Sequence, residues 1–528
     1  MTIPHSVVES LLEPDLPRVY WPSTEWKSLV FHCQGAKKLP ADLRKFQRAK
    51  LVIGTICRKP NVVITNLGSA DEITEGMVLK TRDGRNAVQE WAAEYHPGYI
   101  EAIIERHEYE EGDECPKWFK NACEENIYIL KCRERRDVDR PDCIARREQV
   151  FAQPSLKEAW QHYLQLLRQQ KDVLAGRSDL EAFAFGVKQF PALKRVTITP
   201  AAHGSNLITP LYPTPMIRAF PEGFNYPIPR GWLYPRATPE PATAYTWSQY
   251  PELRDRYRGF RTAIRVLANE PNSVSELVMT FNFIPTGINC TIFDEPCEEY
   301  SHFATVLKKP GFRRLDIALL VGGEGEEDLE ACWRPLVNGR LRRALGEAKE
   351  MEEFRLHIRF SEYPYRGHAY PRIPLQSIVP LEQWSKLRHF ELSGFVISQD
   401  DCVSFLKTLP KSVRSVELSM LRFPGPGTWC SMLEEIKQMV SESTLWGDRD
   451  AETRPKITIG VPIEDTNLAY ATYGHGIWIE KQVGDFIYGE GGNPFRERHR
   501  LNVRFGVGVV RDALEPNFEH PYDQSIVY

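Results

Sequence analysis

Cysteine residues are the first candidates for chemistry in this chain of 528 residues. Thiolate and imidazole groups are ligands that zinc prefers. One stretch holds His107 followed by Cys115, Cys123, Cys132 and Cys143. Zinc sites usually draw ligands from close Cys-x2-Cys pairs, because a tight turn then presents both sulfurs to one ion. The cysteines here are separated by 8, 9 and 11 positions, so we expect free thiols, no metal and no cofactor.

Two histidines beside glycines are candidates for general bases: His475 in YGHGIW and His203 in AAHGSN. No Gly-x-Ser-x-Gly motif accompanies them, so we interpret both as turn residues. The glycine-rich stretch Leu319–Glu330 lacks the Gly-Lys-Ser/Thr and Gly-x-Gly-x-x-Gly patterns of phosphate-binding loops. Its carboxylates would repel phosphate: Glu324, Glu326, Glu327 and Asp328. The sequence therefore predicts a solvated acidic loop and no catalytic residues.

A segment rich in proline and aromatic residues, 205–250, cannot continue a helix or a central strand. We interpret it as a long inserted loop, and two roles are open for its rings. They pack against the rest of the fold, or some stay exposed and anchor a partner protein, as rigid aromatic side chains often do. The candidate binding residues under the second interpretation are Tyr212, Arg218, Phe220, Phe224, Tyr226, Arg230, Trp232 and Tyr234.

The composition is that of a folded protein with no strong charge preference. Hydrophobic residues make up 42% of the chain, and 67 basic against 71 acidic residues give a formal net charge of -4. This balance provides no general attraction for nucleic acid or an anionic membrane. The N-terminal residues do not have the pattern of a secretory signal. No uninterrupted apolar run is close in length to a membrane-spanning helix, which needs about 20 residues. We expect a soluble, cytoplasmic or nuclear protein that binds neither nucleic acid nor membranes.

The clearest predicted element is a helix at Ser155–Leu174. Ser155 and Glu158 form a capping-box signature, and the apolar residues after them fall on one helical stripe. Further along the chain, PLVNGRLRRALGEAKE and GTWCSMLEEIKQMV predict two more helices. Nearer the C-terminus, KITIGVP, HGIWIEK and DFIYGEGG have the spacing of strands and would cap the fold.

An apolar-x-x-apolar-x-apolar pattern recurs through the central part of the chain. Its copies begin at Leu193, Val274, Phe312, Met351, Leu387 and Val413. The last two copies lie 26 residues apart and enclose a segment with a helix cap at Ser398, an apolar helical face and then Pro410. A unit of strand, turn, short helix and strand is typical of a leucine-rich repeat, in which stacked strands shelter one another's apolar sides.

The predicted fold class is α/β: an irregular leucine-rich-repeat-like solenoid with a flanking N-terminal region and a C-terminal cap. The irregular N-terminal region, with room for early degenerate repeats, is residues 1–150. The array covers 151–445 with the proline-aromatic insertion at 205–250, and the capping segment is 446–528. The irregularity is expected because the earlier copies are 39 and 36 residues apart, and most lack the asparagine that would bond neighbouring backbones.

Two stretches, AWQHYLQLLRQQKDVLAGRSDLEAFAFGVKQFPALKRVTITPAAHG and PLYPTPMIRAFPEGFNYPIPRGW, resemble fungal F-box-type proteins with degenerate leucine-rich repeats. That family has three features in a fixed order along the chain: a helix bearing Trp and Tyr, an Asp-Leu pair and a Phe-Pro-x-Leu strand. The likeness covers residues 155–440, and the F-box itself is not evident in this chain. The resemblance implies a receptor that presents target proteins to a ubiquitin ligase through the ligase's adaptor subunit.

We therefore expect a non-enzymatic protein that binds an unidentified target protein. Two alternatives are open: an enzyme whose site is assembled from residues distant in sequence, and a structural scaffold unrelated to ubiquitin. A deep pocket that holds two mutually bonded titratable groups would favour the enzyme.

Overall fold

The computed structural model describes the chain in segments that fall into two compact units. The described residues are 29–33, 49–54, 115–116, 119–124, 152–199, 219–227, 244–249, 251–280, 286–322, 329–360, 373–424, 427–442, 446–447, 449–462, 475–496, 503–504, 506–512 and 519–521. The first unit comprises Met1–Ala242, Glu252–Val266 and Glu270–Ser273. The second comprises Thr243–Pro251, Leu267–Asn269 and Val274–Tyr528.

Three strands of the first unit form a mixed arrangement. β1 (Leu29–Cys33) pairs antiparallel with β2 (Ala49–Gly54), and β2 pairs in parallel with β3 (Leu193–Thr199). Parallel neighbours need a long connection, and this one includes α1 (Leu156–Gly176) and α2 (Ser178–Gln189). Later in the chain come α3 (Pro251–Arg254), a 3-10 helix (Asp255–Tyr257) and α4 (Arg258–Asn269).

The helix predicted at Ser155–Leu174 is confirmed as α1. The Ser155 hydroxyl accepts the backbone N–H of Glu158 at 3.3 Å, and the Glu158 carboxylate accepts the backbone N–H of Ser155 at 3.0 Å. Both halves of the capping box are therefore made. Arg177 then turns into the left-handed region with a φ of 54°, which ends α1 and leads directly into α2.

The second unit contains an open, mostly parallel sheet of nine strands. In spatial order they are β4 (Glu276–Met279), β6 (Arg314–Val321), β7 (Glu353–Phe360), β8 (His389–Ser393), β9 (Ser415–Ser419), β10 (Lys456–Pro462), β11 (His475–Ile479), β12 (Val509–Asp512) and β13 (Glu519–Pro521). The strands from β4 to β10 are parallel, and the last three pairings are antiparallel. A short β5 (Ile288–Asn289) also pairs with β6.

Helical segments lie between the parallel strands in the chain. They are α5 (Glu298–Leu307), α6 (Leu329–Val337), α7 (Arg340–Leu345), α8 (Gln399–Lys407) and α9 (Trp429–Glu442), with 3-10 helices at Cys290–Phe293, Leu375–Ser377 and Leu381–Gln383. A last helix, α10 (Lys481–Tyr488), follows β11 and precedes the antiparallel β12. Phe405 of α8 packs on Phe390 of β8, with ring centroids 5.1 Å apart. Trp384 packs on Phe354 of β7 at 4.8 Å. The helical layer therefore covers the face of the sheet that carries these phenylalanines.

The recurring apolar pattern marks strands that lie side by side in this sheet. The second apolar positions of five copies are in register: Leu277, Leu315, Phe354, Phe390 and Val416. All five are buried, so their apolar sides are sheltered by the neighbouring strands and the helices. The strand prediction is thus confirmed for these copies, while the copy at Leu193 forms β3 of the first unit.

Backbone hydrogen bonds fix the point at which each parallel strand begins. The carbonyl of Arg313 accepts the N–H groups of the two successive residues Glu352 and Glu353, at 2.7 and 2.9 Å. The same arrangement recurs along the sheet, with acceptor carbonyls on Ser275, Arg313, Glu352 and Arg388, and Arg414 accepts from Lys456. We call these five acceptors the carbonyl ladder. It sets the register of each strand through the backbone of the preceding one.

Gly394 occupies a position that other residues cannot. It follows β8 with a φ of 69°, a left-handed conformation that glycine adopts without steric cost. A Cβ atom at this position would lie 2.2 Å from the carbonyl oxygen of Ile358 on the neighbouring strand. The close approach of these two backbone segments therefore requires glycine.

Three local predictions need correction. The DFIY segment predicted as a strand lies in α10, where Val483, Phe486 and Ile487 are buried with helical spacing. His475, predicted in a turn, begins β11, because its neighbours pair with β10 and β12. The single helix predicted over PLVNGRLRRALGEAKE is divided between α6 and α7, because Gly339 adopts a φ of 78°. The helix over GTWCSMLEEIKQMV and the strand KITIGVP are confirmed as α9 and β10.

Candidate functional site

Polar side chains form a continuous row on one face of the parallel strands. Side chains alternate between the two faces of a strand, so the residues between the buried apolar ones point away from the helices. Five of them are in register on the adjacent strands from β6 to β10: Asp316, Arg355, Glu391, Glu417 and Thr458. We call these five residues the polar row.

At one end of the polar row, two arginines contact the Asp316 carboxylate. Arg314 donates to both of its oxygens, at 3.0 and 2.7 Å, and Arg355 donates to it at 3.2 Å. Glu353 lies 3.1 Å from Arg314. Burial alone would lower the pKa of Arg314, but the hydrogen bond and charge of Asp316 and the neighbouring carboxylates raise it. These charges are therefore paired and held in a fixed arrangement.

Glu391 is a buried acid of the polar row whose pKa is strongly lowered. Its nearest cations are the Nε of Arg355 at 2.9 Å, the Nε2 of His357 at 3.4 Å and the Nε2 of His389 at 3.7 Å. The side chain is nearly inaccessible, and this burial would raise its pKa. The charges of His357, Arg355 and His389, with a hydrogen bond from His389, outweigh burial and lower the pKa to about 2. Glu391 is therefore an ionised, buried anchor for one guanidinium and two imidazole groups.

Beyond Glu391, the next two members of the polar row form hydrogen bonds with residues at and just after β11. The Glu417 carboxylate accepts the indole N–H of Trp478 at 3.0 Å, which links β9 to β11. Thr458 donates its hydroxyl to Glu480 at 3.3 Å. The row thus changes from clustered ion pairs on β6 to β8 to a carboxylate that accepts an indole N–H on β9 and a hydroxyl that donates to Glu480 on β10, where Glu480 also lies 3.6 Å from Lys456.

Ser415, His389 and Glu391 resemble a catalytic triad in residue type, and their geometry tests that interpretation. The Nδ1 atom of His389 lies 2.7 Å from the Ser415 hydroxyl. Its Nε2 atom faces Nε of Arg355 at 3.2 Å and the Glu391 carboxylate at 3.7 Å. In a catalytic triad the imidazole is the main partner of the acid, but here the Glu391 carboxylate lies nearer to Arg355, at 2.9 Å. The arrangement favours positioning of side chains over activation of a nucleophile.

The predicted aromatic site is placed only in part by the structure. Phe220 is half-buried, and Phe224 and Tyr226 are buried. They join a cluster with Phe119 and Trp160, and the rings of Phe224 and Tyr226 stack at 5.0 Å. These three rings therefore pack against the first unit, as in the first of the two interpretations. The other candidates lie outside the described residues: Tyr212, Arg218, Arg230, Trp232 and Tyr234.

The other candidates for chemistry give no assembled site. Cys115 is half-buried and Cys123 is buried, and both are free thiols. Burial raises the pKa of Cys123 to about 12, with smaller contributions from Cys115 and Glu124, so its reactive thiolate form is disfavoured. His107, Cys132, Cys143, His203 and the four carboxylates of the acidic loop lie outside the described residues. Within the part that the structure describes, no group of three or more His, Cys, Asp or Glu side chains could hold a metal ion.

The polar row was not predicted from the sequence. The only signal available was the residue between the second and third apolar positions of each copy, which is Asp316, Arg355, Glu391 and Glu417 in four consecutive copies. Charge at four equivalent positions is informative only when the copies are known to be aligned. The register of the strands provides that alignment.

Among the described residues, no helix combines the length and apolar character needed to cross a membrane. No protein-family model, curated protein or solved structure matches this chain.

Proposed function

We propose that the protein is a non-enzymatic receptor that binds another polypeptide on the polar row. The observation that carries this proposal is the register of five adjacent strands, which aligns charged and hydrogen-bonding side chains on one face of the sheet. A straight row of side chains across several strands can be contacted along its length by an extended polypeptide or by a flat protein surface. A catalytic site would instead gather its groups around one reacting atom.

The same proposal describes the parallel strands as an irregular leucine-rich-repeat-like solenoid. The carbonyl ladder supports it, because each repeat begins by bonding to the repeat before it. The pattern copies at Phe312, Met351, Leu387 and Val413 are separated by 39, 36 and 26 residues, yet they begin their strands in the same way.

Preorganisation of the polar row supports a role in recognition. Arg355 and His357 each expose 22% of their side chains while they remain bonded to Glu391. A partner that contacts these groups meets side chains that are already ordered, so little conformational entropy is lost on binding. Fixed charges also favour a partner of complementary charge and exclude others.

Site-specific photo-crosslinking tests this proposal. A photoreactive amino acid replaces Ser393, which lies on β8 two residues beyond Glu391 and on the same face. The matched control replaces Arg343, which is exposed on α7. Crosslinks to a partner from position 393 and none from position 343 are expected. Equal crosslinking from both positions, or crosslinking from position 343 alone, would contradict recognition through the polar row.

The resemblance to F-box-type proteins supports a narrower proposal, in which the bound polypeptide is presented to a ubiquitin ligase. Co-purification with the adaptor subunit at micromolar concentration tests this step. Absence of binding would leave a scaffold unrelated to ubiquitin. Comparison of the full chain with a variant lacking residues 205–250 determines whether the proline-aromatic loop contributes to partner binding.

A further inference from the structure

Three arginines lie close together near the start of β9 and β10. Arg414 Nη1 donates to the carbonyl oxygens of Lys411 at 2.9 Å and Val413 at 3.1 Å. Arg449 Nη1 donates to the same Val413 oxygen at 2.9 Å. The two Nη1 atoms are therefore no further apart than the sum of 3.1 Å and 2.9 Å. Two guanidinium groups converge on one carbonyl oxygen.

Arg454 extends this group, which we call the arginine cluster: Arg414, Arg449 and Arg454. Its Nε donates to the carbonyl of Arg449 at 2.9 Å, and its guanidinium lies over the ring of Tyr488 at 5.4 Å. The Tyr488 hydroxyl donates to the carbonyl of Pro455 at 2.9 Å, which fixes the ring under the arginine. Backbone carbonyls and one aromatic ring thus hold the cluster in place.

The charges of the arginine cluster are not balanced by carboxylates within the described residues. The partners of its guanidinium groups there are carbonyl oxygens and the Tyr488 ring. Burial and, next, the positive charge of Arg414 lower the pKa of Arg449. Arg355 of the polar row and the neighbouring Arg314 differ from these arginines, because each contacts at least two carboxylates.

The guanidinium N–H groups of the arginine cluster that make no backbone hydrogen bond indicate which kind of ligand could bind there. Each guanidinium has five N–H donors in a planar fork. Among the described residues, Arg414 and Arg449 use only Nη1 in hydrogen bonds, so their Nη2 and Nε groups have no partner there and can donate to an oxyanion. Arginine forks match the oxygens of a phosphate group in pairs, and a dianion offsets repulsion between neighbouring cations better than a single negative charge does.

We propose that the arginine cluster is a binding site for the dianionic phosphate of a phosphate monoester. This site lies at the beginning of the strands, and it goes beyond the proposed function because it does not depend on a partner at the polar row. The phosphate is carried either by a phosphorylated side chain of another protein or by a small molecule. Both sources present the same three oxygens to the arginine forks.

Titration calorimetry on the full chain tests this site with two probes, inorganic phosphate and N-acetyl-phosphoserine amide, at constant ionic strength set with chloride. N-acetylserine amide is the matched ligand control. Both phosphate probes are expected to bind competitively, and the serine compound is expected not to bind. Binding of inorganic phosphate alone would support a small-molecule source, and tighter binding of the phosphoserine compound would support a phosphorylated protein. Failure of both to bind at millimolar concentration would overturn the proposal.

Two variants locate the binding. Arg449→Gln is expected to weaken binding about tenfold or more, the effect of losing charge-assisted hydrogen bonds. Arg449→Lys keeps the positive charge but lacks the planar guanidinium. Its affinity for the phosphate probes is expected to lie between those of the unmodified protein and Arg449→Gln. Arg343→Gln removes an exposed arginine from α7 and is expected to bind as the unmodified protein does. Circular dichroism checks the fold of each variant, and unchanged binding in folded Arg449→Gln or Arg449→Lys would refute the site.

Discussion

Replacement of Glu391 by glutamine removes a buried charge from the middle of the polar row. Burial acts to raise the pKa of Glu391, but its cationic neighbours lower it from the ordinary 4.5 to about 2. Because the pKa is lower in the folded state, the ionised carboxylate stabilises the fold above the unfolded pKa. This stabilisation is lost as the pH falls from 4.5 towards 2. The shift corresponds to about 3 kcal/mol near neutral pH, which is the loss expected for Glu391→Gln.

Urea unfolding followed by circular dichroism near pH 7 and near pH 3 measures this loss. The difference between the unmodified protein and Glu391→Gln is expected to shrink at the lower pH, because the Glu391 carboxyl of the unfolded state is then largely protonated and unfolding takes up a proton. Glu382→Gln is the control, since its ion pair with Arg342 is solvent-exposed and should contribute less than about 0.5 kcal/mol. A loss below about 1 kcal/mol near pH 7, or equal losses at both pH values, would refute the reasoning.

Three further substitutions test the packing, a backbone contact and a helix cap. Phe390→Ala empties a fully buried position and should lower the free energy of unfolding by about 3–5 kcal/mol in urea titrations, whereas Val337→Ala on an exposed position should change it by less than about 0.5 kcal/mol. Gly394→Ala should lower the free energy of unfolding by more than about 1 kcal/mol, because its Cβ meets the Ile358 carbonyl; an unchanged melting temperature in calorimetry would contradict that contact. Ser155→Ala removes the capping hydroxyl of α1 and should cost about 1 kcal/mol, seen as faster hydrogen exchange in the first turn; unaltered exchange there would count against the cap.

Local rules were sufficient to predict several elements from the sequence. The capping box at Ser155 predicted α1, and the cap at Ser398 followed by a buried apolar face predicted α8, which begins at Gln399. The apolar pattern predicted strands β6 to β9 because it records which side chains face the helices. The same reasoning failed for DFIY, since a short apolar run fits a strand and a helix equally well.

The polar row and the arginine cluster depend on distances that a single sequence does not contain. Glu391 and His357 are 34 residues apart in the chain, and they meet only because β7 and β8 pair in a particular register. Arg414 and Arg449 are 35 residues apart, and they converge on the backbone carbonyl of Val413, which has no side-chain signature. Charge at equivalent positions becomes informative once the strands are aligned.

The carbonyl ladder has a consequence for how such a chain can change over evolutionary time. Peptide groups, which every residue carries, set the position of each strand, so insertions and deletions in the connections leave the alignment of the strands undisturbed. The spacings of 39, 36 and 26 residues between successive copies are consistent with this freedom. Lineages could therefore lengthen or trim whole connections while the polar row keeps its pattern of charges.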